Sequence, residues 1–329
     1  MKKPSGVAFA LTVSAGLFAA GALLSAAQAQ VYPTRPVTMI VPYASGGTGE
    51  VLGRALAQEM SGTLGRNVIV ELRPGAGGNI GAEHVAKVAR ADGYTFLLAA
   101  SSLATSVSMM KLNFDPLKDL APVAGITAIP NLMVISAESP LKSVGEVIKA
   151  ARANPNELTF GSSGLGTGSH LAGELFQDTT GIQLTHVPYK GSGAVYPDLI
   201  AQRITLLFDV MGSAVGQVQG GRVRALATTS KQRSQALPDV PTVAEQGFPG
   251  YEFVVWFGFF ARAGTPPEAL ARLEQATAAA LQSPAVRERL SQIGSEPVPA
   301  SAGEFRQYFN DDVERWARLV KEGKVAPLQ

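Results

Sequence analysis

The residues able to do chemistry are few and scattered. Three histidines, His84, His170 and His186, stand at spacings that match no metal-binding pattern such as H-x-x-x-H. His84 falls inside an expected helix, where a surface or packing role suits it. His170 follows Ser169 at an expected helix start, where a ligand contact and a capping or packing role both fit. His186 sits in an expected strand, as a core residue. The run Gly161-Ser162-Ser163-Gly164 is not G-x-S-x-G, so it makes no nucleophile elbow. Lys190, in "PYKGSG", could act as a reactive amine, although a solvent-facing or carboxylate-pairing lysine is commoner. Asp209, in "LLFDVMGSA", ends an expected strand, where an acid can orient a ligand or cap a helix. There is no cysteine, which removes thiol nucleophiles and thiolate metal sites. These residues predict no catalytic centre, no metal and no cofactor.

The stronger signal is backbone chemistry. The stretch "VELRPGAGGNIGAEHVAKV" has the strand, Gly-rich turn and helix of a dinucleotide fingerprint. Its glycines, Gly75, Gly77 and Gly81, read G-x-G-x-x-x-G rather than G-x-G-x-x-G. The next strand ends in Ser101 and Ser102, where such a site wants an acid for the ribose. The nucleotide reading is therefore the weaker one. Residues 42–50, 101–105, 161–169 and 188–193 are loops of the same kind. Each would deliver unpaired N–H groups at a helix start, which suit an anion. Several neutral donors gathered from five loops fit a carboxylate.

Stepping between these loops, β-rich runs alternate with helix-like runs. Strands are expected at residues 37–41, 68–72, 94–99, 132–135, 158–160, 184–187, 204–208 and 225–228. Helices are expected at 51–60, 82–91, 144–153 and 170–176, with another ending at Ala201. This alternation predicts an α/β fold of mostly parallel sheets flanked by helices. Ser143 with Glu146, and Ser301 with Glu304, are spaced as capping boxes. Thr265, Pro266 and Glu268 are spaced as an N-cap, an N1 proline and an N3 acid. The most aromatic run, "GYEFVVWFGFFA", reads as a buried strand from which Trp256 or Phe257 could reach a cleft. "MIVPYASGGTGE" and "THVPYKGSGAVYPD" repeat one pattern, which predicts two lobes whose loops face one another.

The N-terminus carries Lys2 and Lys3, an apolar run over residues 7–24, and Ala27-Gln28-Ala29. That is the pattern of a cleaved export signal ending at Ala29; a retained anchor is the alternative that the apolar length allows. Without its two lysines the chain of 28 basic and 26 acidic residues becomes neutral. No basic stripe suggests nucleic acid, and an exported protein has little access to NAD.

Taken in order along the chain, "YPTRPVTMIVPYASGGTGEVLGR", "RPGAGGNIGAE", "ADGYTFLLAAS", "SSGLGTGSHLAGELF", "HVPYKGSG", "LLFDV", "LPDVPTVAEQGFPGYE", "WFGFFARAGTP" and "SPAVRERL" resemble the Bug family. These are extracytoplasmic substrate-binding proteins of tripartite tricarboxylate transporters. The resemblance covers essentially the whole chain after the expected signal. It implies a two-lobed Venus-flytrap periplasmic binding protein, with lobe 1 built from 30–127 and 231–329 and lobe 2 from 128–230. It implies a monomer in the periplasm, no enzymatic activity, a small carboxylate ligand and membrane permease subunits as partners. By position it implies ligand contacts at Tyr43, Ala44, Ser45, Gly46, Gly47, Thr48 and Glu50; at Gly77, Gly78 and Asn79; and at Ser101, Ser102 and Ala104. In the second lobe it implies Ser162, Ser163, Thr167, Gly168, His170, Tyr189, Lys190 and Asp209. The first loop departs from the family: Ser45-Gly46-Gly47 and Glu50 stand where members commonly read Pro-Gly-Gly followed by Asp. A sensory protein feeding a membrane kinase would need the same fold, and an exported hydrolase using Lys190 or His170 is a third possibility. The crossovers near 126–129 and 229–241 are the expected hinges.

Overall fold

The computed structural model describes residues 32–327 except 297, 299, 324 and 326. The expected export signal and its cleavage after Ala29 lie outside the described residues.

The chain opens with three strand–helix units. Strand β1 (Val37–Val41) leads to α1 (Thr48–Leu64), which ends where Gly65 turns left-handed at φ 66°. Strand β2 (Val68–Leu72) leads through a tight turn to α2 (Asn79–Glu83), extended by a wide turn over His84–Val88. Strand β3 (Thr95–Ala100) leads to α3 (Ser102–Met109) and a short α4 (Pro116–Asp119). Then comes β4 (Leu120–Ser136), 17 residues long and almost wholly buried.

The second lobe repeats the theme. It holds α5 (Val144–Ala153), β5 (Thr159–Ser162), α6 (Gly168–Thr180) and β6 (Thr185–Pro188). It continues through α7 (Ser192–Ile200), β7 (Leu206–Val210), α8 (Met211–Gln219) and β8 (Val223–Thr228). The chain then returns through β9 (Val254–Arg262) to α9 (Pro267–Gln282), α10 (Pro284–Gln292) and α11 (Ala302–Lys321).

The two-lobed α/β architecture follows from the pairing. In the first lobe β2, β1 and β3 are parallel; in the second, β6, β5 and β7 are parallel. The strands between them make each sheet mixed. β9 pairs antiparallel with β3 and β4, and β4 pairs antiparallel with β7 and β8. Partners of β4 change from β9 to β7 between Pro130 and Asn131, so this strand serves both lobes. Pro122 has no N–H for the ladder, and the register shifts just after it, between Pro122 and Ala124.

The return path to β9 runs over the second lobe. Thr228 and Thr242 bridge, the Gln246 amide donates to the Leu226 carbonyl, and the Tyr251 hydroxyl donates to the Ala172 carbonyl. The segment leading to β9 thus packs on the second lobe. Thr229 ties three crossing strands together. Its hydroxyl lies 2.6 Å from the Phe253 carbonyl, and it accepts the Asn131 N–H at 2.7 Å.

Both capping serines cap their helices, but neither glutamate closes the reciprocal half of the box: Glu146 takes the Lys142 N–H and Glu304 the Ser301 hydroxyl. Ser143 and Ser301 accept the N–H groups of Glu146 and Glu304 at 3.2 and 3.4 Å. Thr265 does not cap α9, because its hydroxyl instead donates to the Arg262 carbonyl at 2.7 Å and Pro266 takes the cap position. The aromatic run becomes β9 and alternates faces. Trp256 and Phe260 pack with Phe305 and Phe309 of α11 on one side, while Phe257 faces the cleft side against Tyr43. Gly258 leaves the space that the buried Phe305 ring fills.

Candidate functional site

Strands β1, β2, β3, β5, β6 and β7 all end at one cavity of about 690 Å³ between the lobes. This is the crevice beyond the carboxyl ends of strands where open α/β sheets bind ligands. Its wall is made of loop backbone and small residues, with Tyr43, Val255 and Phe257 as apolar panels. No Asp, Glu or Arg lines it, and Lys190 is its one charged side chain among the described residues.

The lobes touch across this cavity. A Cβ on Gly191 would lie 2.7 Å from the Cβ of Ala44, and one on Gly212 would lie 2.7 Å from Thr48 Cγ2. A Cβ on Gly77 would approach the Leu165 carbonyl at 3.2 Å. Glycine at these points lets the opposing loops close to backbone distance.

The first loop divides into a wall and a brace. Tyr43, Ala44, Gly47 and Thr48 line the cavity. Ser45, Gly46 and Glu50 stand behind them: Glu50 Oε2 accepts the Gly46 N–H and the Ser45 hydroxyl, both at 2.8 Å. Its Oε1 accepts Arg54 Nε and Nη2 at 2.8 and 2.7 Å. The Gly46 N–H, Arg54 and Ser45 hold the Glu50 carboxyl down at about 2. Burial keeps the Tyr43 hydroxyl neutral by raising its pKa.

In the second loop, four consecutive residues take positive φ: Gly75 at 136°, Ala76 at 48°, Gly77 at 65° and Gly78 at 105°. Three glycines make that path feasible, and Gly77 and Gly78 line the cavity. Asn79 lies behind, donating to the Ala76 carbonyl at 2.9 Å and accepting the Ser106 hydroxyl at 3.1 Å. In the third loop Ser102 reaches the wall, whereas Ser101 and Ala104 are buried beside it and the Ser101 hydroxyl has no partner.

The second lobe divides in the same way. Ser163, Thr167, Gly168, Tyr189 and Lys190 line the cavity. Thr167 also caps α6, accepting the His170 N–H at 3.5 Å. Ser162 and His170 lie behind. The Ser162 hydroxyl is 2.7 Å from His186 Nε2, and the His170 and His186 rings stack at 4.0 Å. His170 Nδ1 accepts the Gly166 N–H at 3.2 Å, which fixes the loop. Burial, with His170 second, pushes the His186 pKa down to about 4. Burial and the Asp198 partner raise the Tyr189 hydroxyl to about 12.

Asp209 is fully buried rather than on the wall. Its Oδ1 accepts the Ser192 hydroxyl at 2.6 Å, and its Oδ2 accepts those of Tyr196 and Ser213 at 2.7 and 2.8 Å. Burial raises its pKa, and those three hydroxyls pull it back. Strand alternation explains the placement: the next residue, Val210, lines the cavity, so Asp209 must face the other way.

A profile described as the tripartite tricarboxylate transporter family receptor matches residues 52–325. The chain belongs to this receptor family. It is 39% identical over 311 residues to the protein BugT of Bordetella pertussis, covering 93% of this chain and 95% of that one. Among solved structures, the receptor is similar to R. palustris Rpa4515 with adipate, at 38% identity and a TM-score of 0.85, over 90% of this chain and 100% of that one. It is also similar to MatC (Rpa3494) from Rhodopseudomonas palustris with bound malate, at 31% identity and a TM-score of 0.83, over 88% and 100% of the two chains. The periplasmic binding protein BugD superposes with a TM-score of 0.84 at 33% identity, over 88% of this chain and 98% of that chain.

Several lining residues of the receptor went unnamed from sequence, among them Leu165, Ser192, Val210, Ser213 and Val255. Ser213 had a usable signal, since it stands in the first turn of a helix that follows a strand end.

Proposed function

We propose that this receptor is an exported, monomeric solute-binding protein that captures a small organic carboxylate between its lobes. It delivers that ligand to membrane permease subunits of a tripartite tricarboxylate-type transporter and does no covalent chemistry itself. The observation that carries this reading is the cavity wall: six strand-end loops line it, several at helix starts, with Lys190 and with no acidic side chain to repel an anion. The relatives solved with adipate and malate support a carboxylate. Among the described residues no helix is long and apolar enough to cross a membrane. The Ser162–His186 pair speaks against a hydrolase, because Ser162 is fully buried behind the wall.

Within this reading, the predicted contacts that line the cavity are the ligand shell. Glu50, Asn79, Ser162, His170 and Asp209 brace that shell without touching ligand. Opening and closing would pivot on the crossing strands held by Thr229.

A thermal-shift screen against mono-, di- and tricarboxylates, amino acids and nucleotides tests the proposal. A carboxylate at one hundred times its Kd should add about 2.7 kcal/mol of stability. Nucleotides raising the melting temperature while every carboxylate leaves it unmoved would overturn it.

A further inference from the structure

The buried Asp209 carboxylate has a consequence for the ligand. Each serine hydroxyl carries one hydrogen and two lone pairs. Ser192 spends its hydrogen on Asp209 Oδ1 at 2.6 Å. Ser213 has two takers for its hydrogen, Asp209 Oδ2 at 2.8 Å and the Val210 carbonyl at 2.9 Å, and both lie on its own lobe. Tyr196 fills the remaining approach to Oδ2 at 2.7 Å. The Val210 N–H, which can only donate, also faces Asp209, and with the carboxylate ionised all three hydroxyls must donate to it.

Both serines line the cavity. With their hydrogens committed inward, they can offer it only lone pairs. The first lobe already meets that polarity: the Thr48 hydroxyl approaches Ser213 as a donor, at 3.5 Å. The rest of the wall holds Lys190 and the helix starts at Thr48, Ser102 and Gly168, which suit the carboxylate end of a ligand. This patch instead suits a hydrogen carried elsewhere on the ligand.

Resting on the carboxylate reading above, we infer that Asp209 is a positioning residue that turns Ser192 and Ser213 into acceptors, so that the receptor selects carboxylates bearing a hydroxyl or amino group. An unsubstituted carboxylate leaves those lone pairs unsatisfied when closure expels water, which is how a buried polar group rejects an analogue lacking its partner.

Isothermal titration at neutral pH on the full protein tests this with two matched sets: propionate, lactate and alanine, and succinate, malate and aspartate. Adipate and benzoate serve as unsubstituted outgroups. The expected result is a hydroxyl- or amino-bearing acid binding at least tenfold more tightly than its unsubstituted parent. The hydroxyl and amino arms tell which donor is preferred. Asp209→Asn places an amide donor against one serine and frees its hydrogen for the cavity, so the ratio should fall below threefold while the unsubstituted parent still binds. Ser192→Ala should shrink the ratio as well, and it carries the test if Asp209→Asn does not fold. An unsubstituted acid as the tightest ligand overturns the inference and leaves carboxylate capture standing. A ratio unchanged in both variants also overturns it. Binding by no carboxylate at all would strike the carboxylate reading first, and this inference with it.

Discussion

Glu50→Gln is the perturbation whose size the structure fixes best. The Glu50 side chain is only 11% exposed, and its two oxygens accept four hydrogen bonds. Two of these, from Ser45 and the Gly46 N–H, hold the loop whose neighbours Tyr43, Ala44, Gly47 and Thr48 line the cavity. A glutamine puts an amide donor against one pair of donors. The fall of the carboxyl from its ordinary 4.5 to about 2 equates to about 3 kcal/mol at 1.36 kcal/mol per pH unit. The Arg54 partner is 60% exposed, and solvent screening of such a pair brings the expected loss to about 1–2 kcal/mol. A folded pKa below the unfolded value stabilises the fold fully above that unfolded value and loses its effect as pH falls through the folded one. The gap between parent and Glu50→Gln should therefore be full above pH 4.5 and close as pH falls towards about 2. Urea melts at a series of pH values would read it, and thermal melts at pH 7 should show a melting-temperature loss of roughly 2–4 °C. Equal stability at pH 7, or a gap that persists undiminished at the acid end, would refute the reasoning.

Other consequences follow from the same geometry. Gly212→Ala puts a methyl against Thr48 of the opposite lobe, so ligand affinity should fall about tenfold or more while the ligand-free melting temperature holds, as titration and melting would report. The His186 ring should titrate near 4 by NMR; a depressed histidine adds stability above its ordinary 6.5 that is lost as pH falls from there towards 4. Gly258→Ala drives a methyl into the Phe305 ring, and denaturant melts should show about 1–3 kcal/mol lost to overpacking.

The positions of the loops were legible because glycine clusters and strand–helix alternation are local signals. All five loops, four of them Gly-rich, lie at strand ends facing one cavity. Both capping serines were legible for the same reason. The long strand β4 was reduced to its last residues, since Pro122, Gly125 and Pro130 interrupt any β pattern that sequence alone can follow. What pairing supplies there is β9, which lies more than a hundred residues away along the chain.

The face each polar residue presents was less legible. Spacing placed Asp209 at a strand end, but the alternation that decides between Asp209 and Val210 is set by the register of β7 on β4. Asn79, His170 and Glu50 likewise lie on helix starts beside the cavity and turn inward to brace the loops. Their polar side chains find backbone partners in the loops they follow, and those loops take shape only in the fold.

The central claim is that a carboxylate sits between the lobes on the strand-end loops. A crystal structure with the tightest carboxylate from the thermal-shift screen tests it most directly. The account predicts ligand density in the 690 Å³ cavity, with its carboxylate on loop N–H groups from both lobes. The same ligand bound elsewhere on the surface, with this cavity holding only solvent, would contradict it.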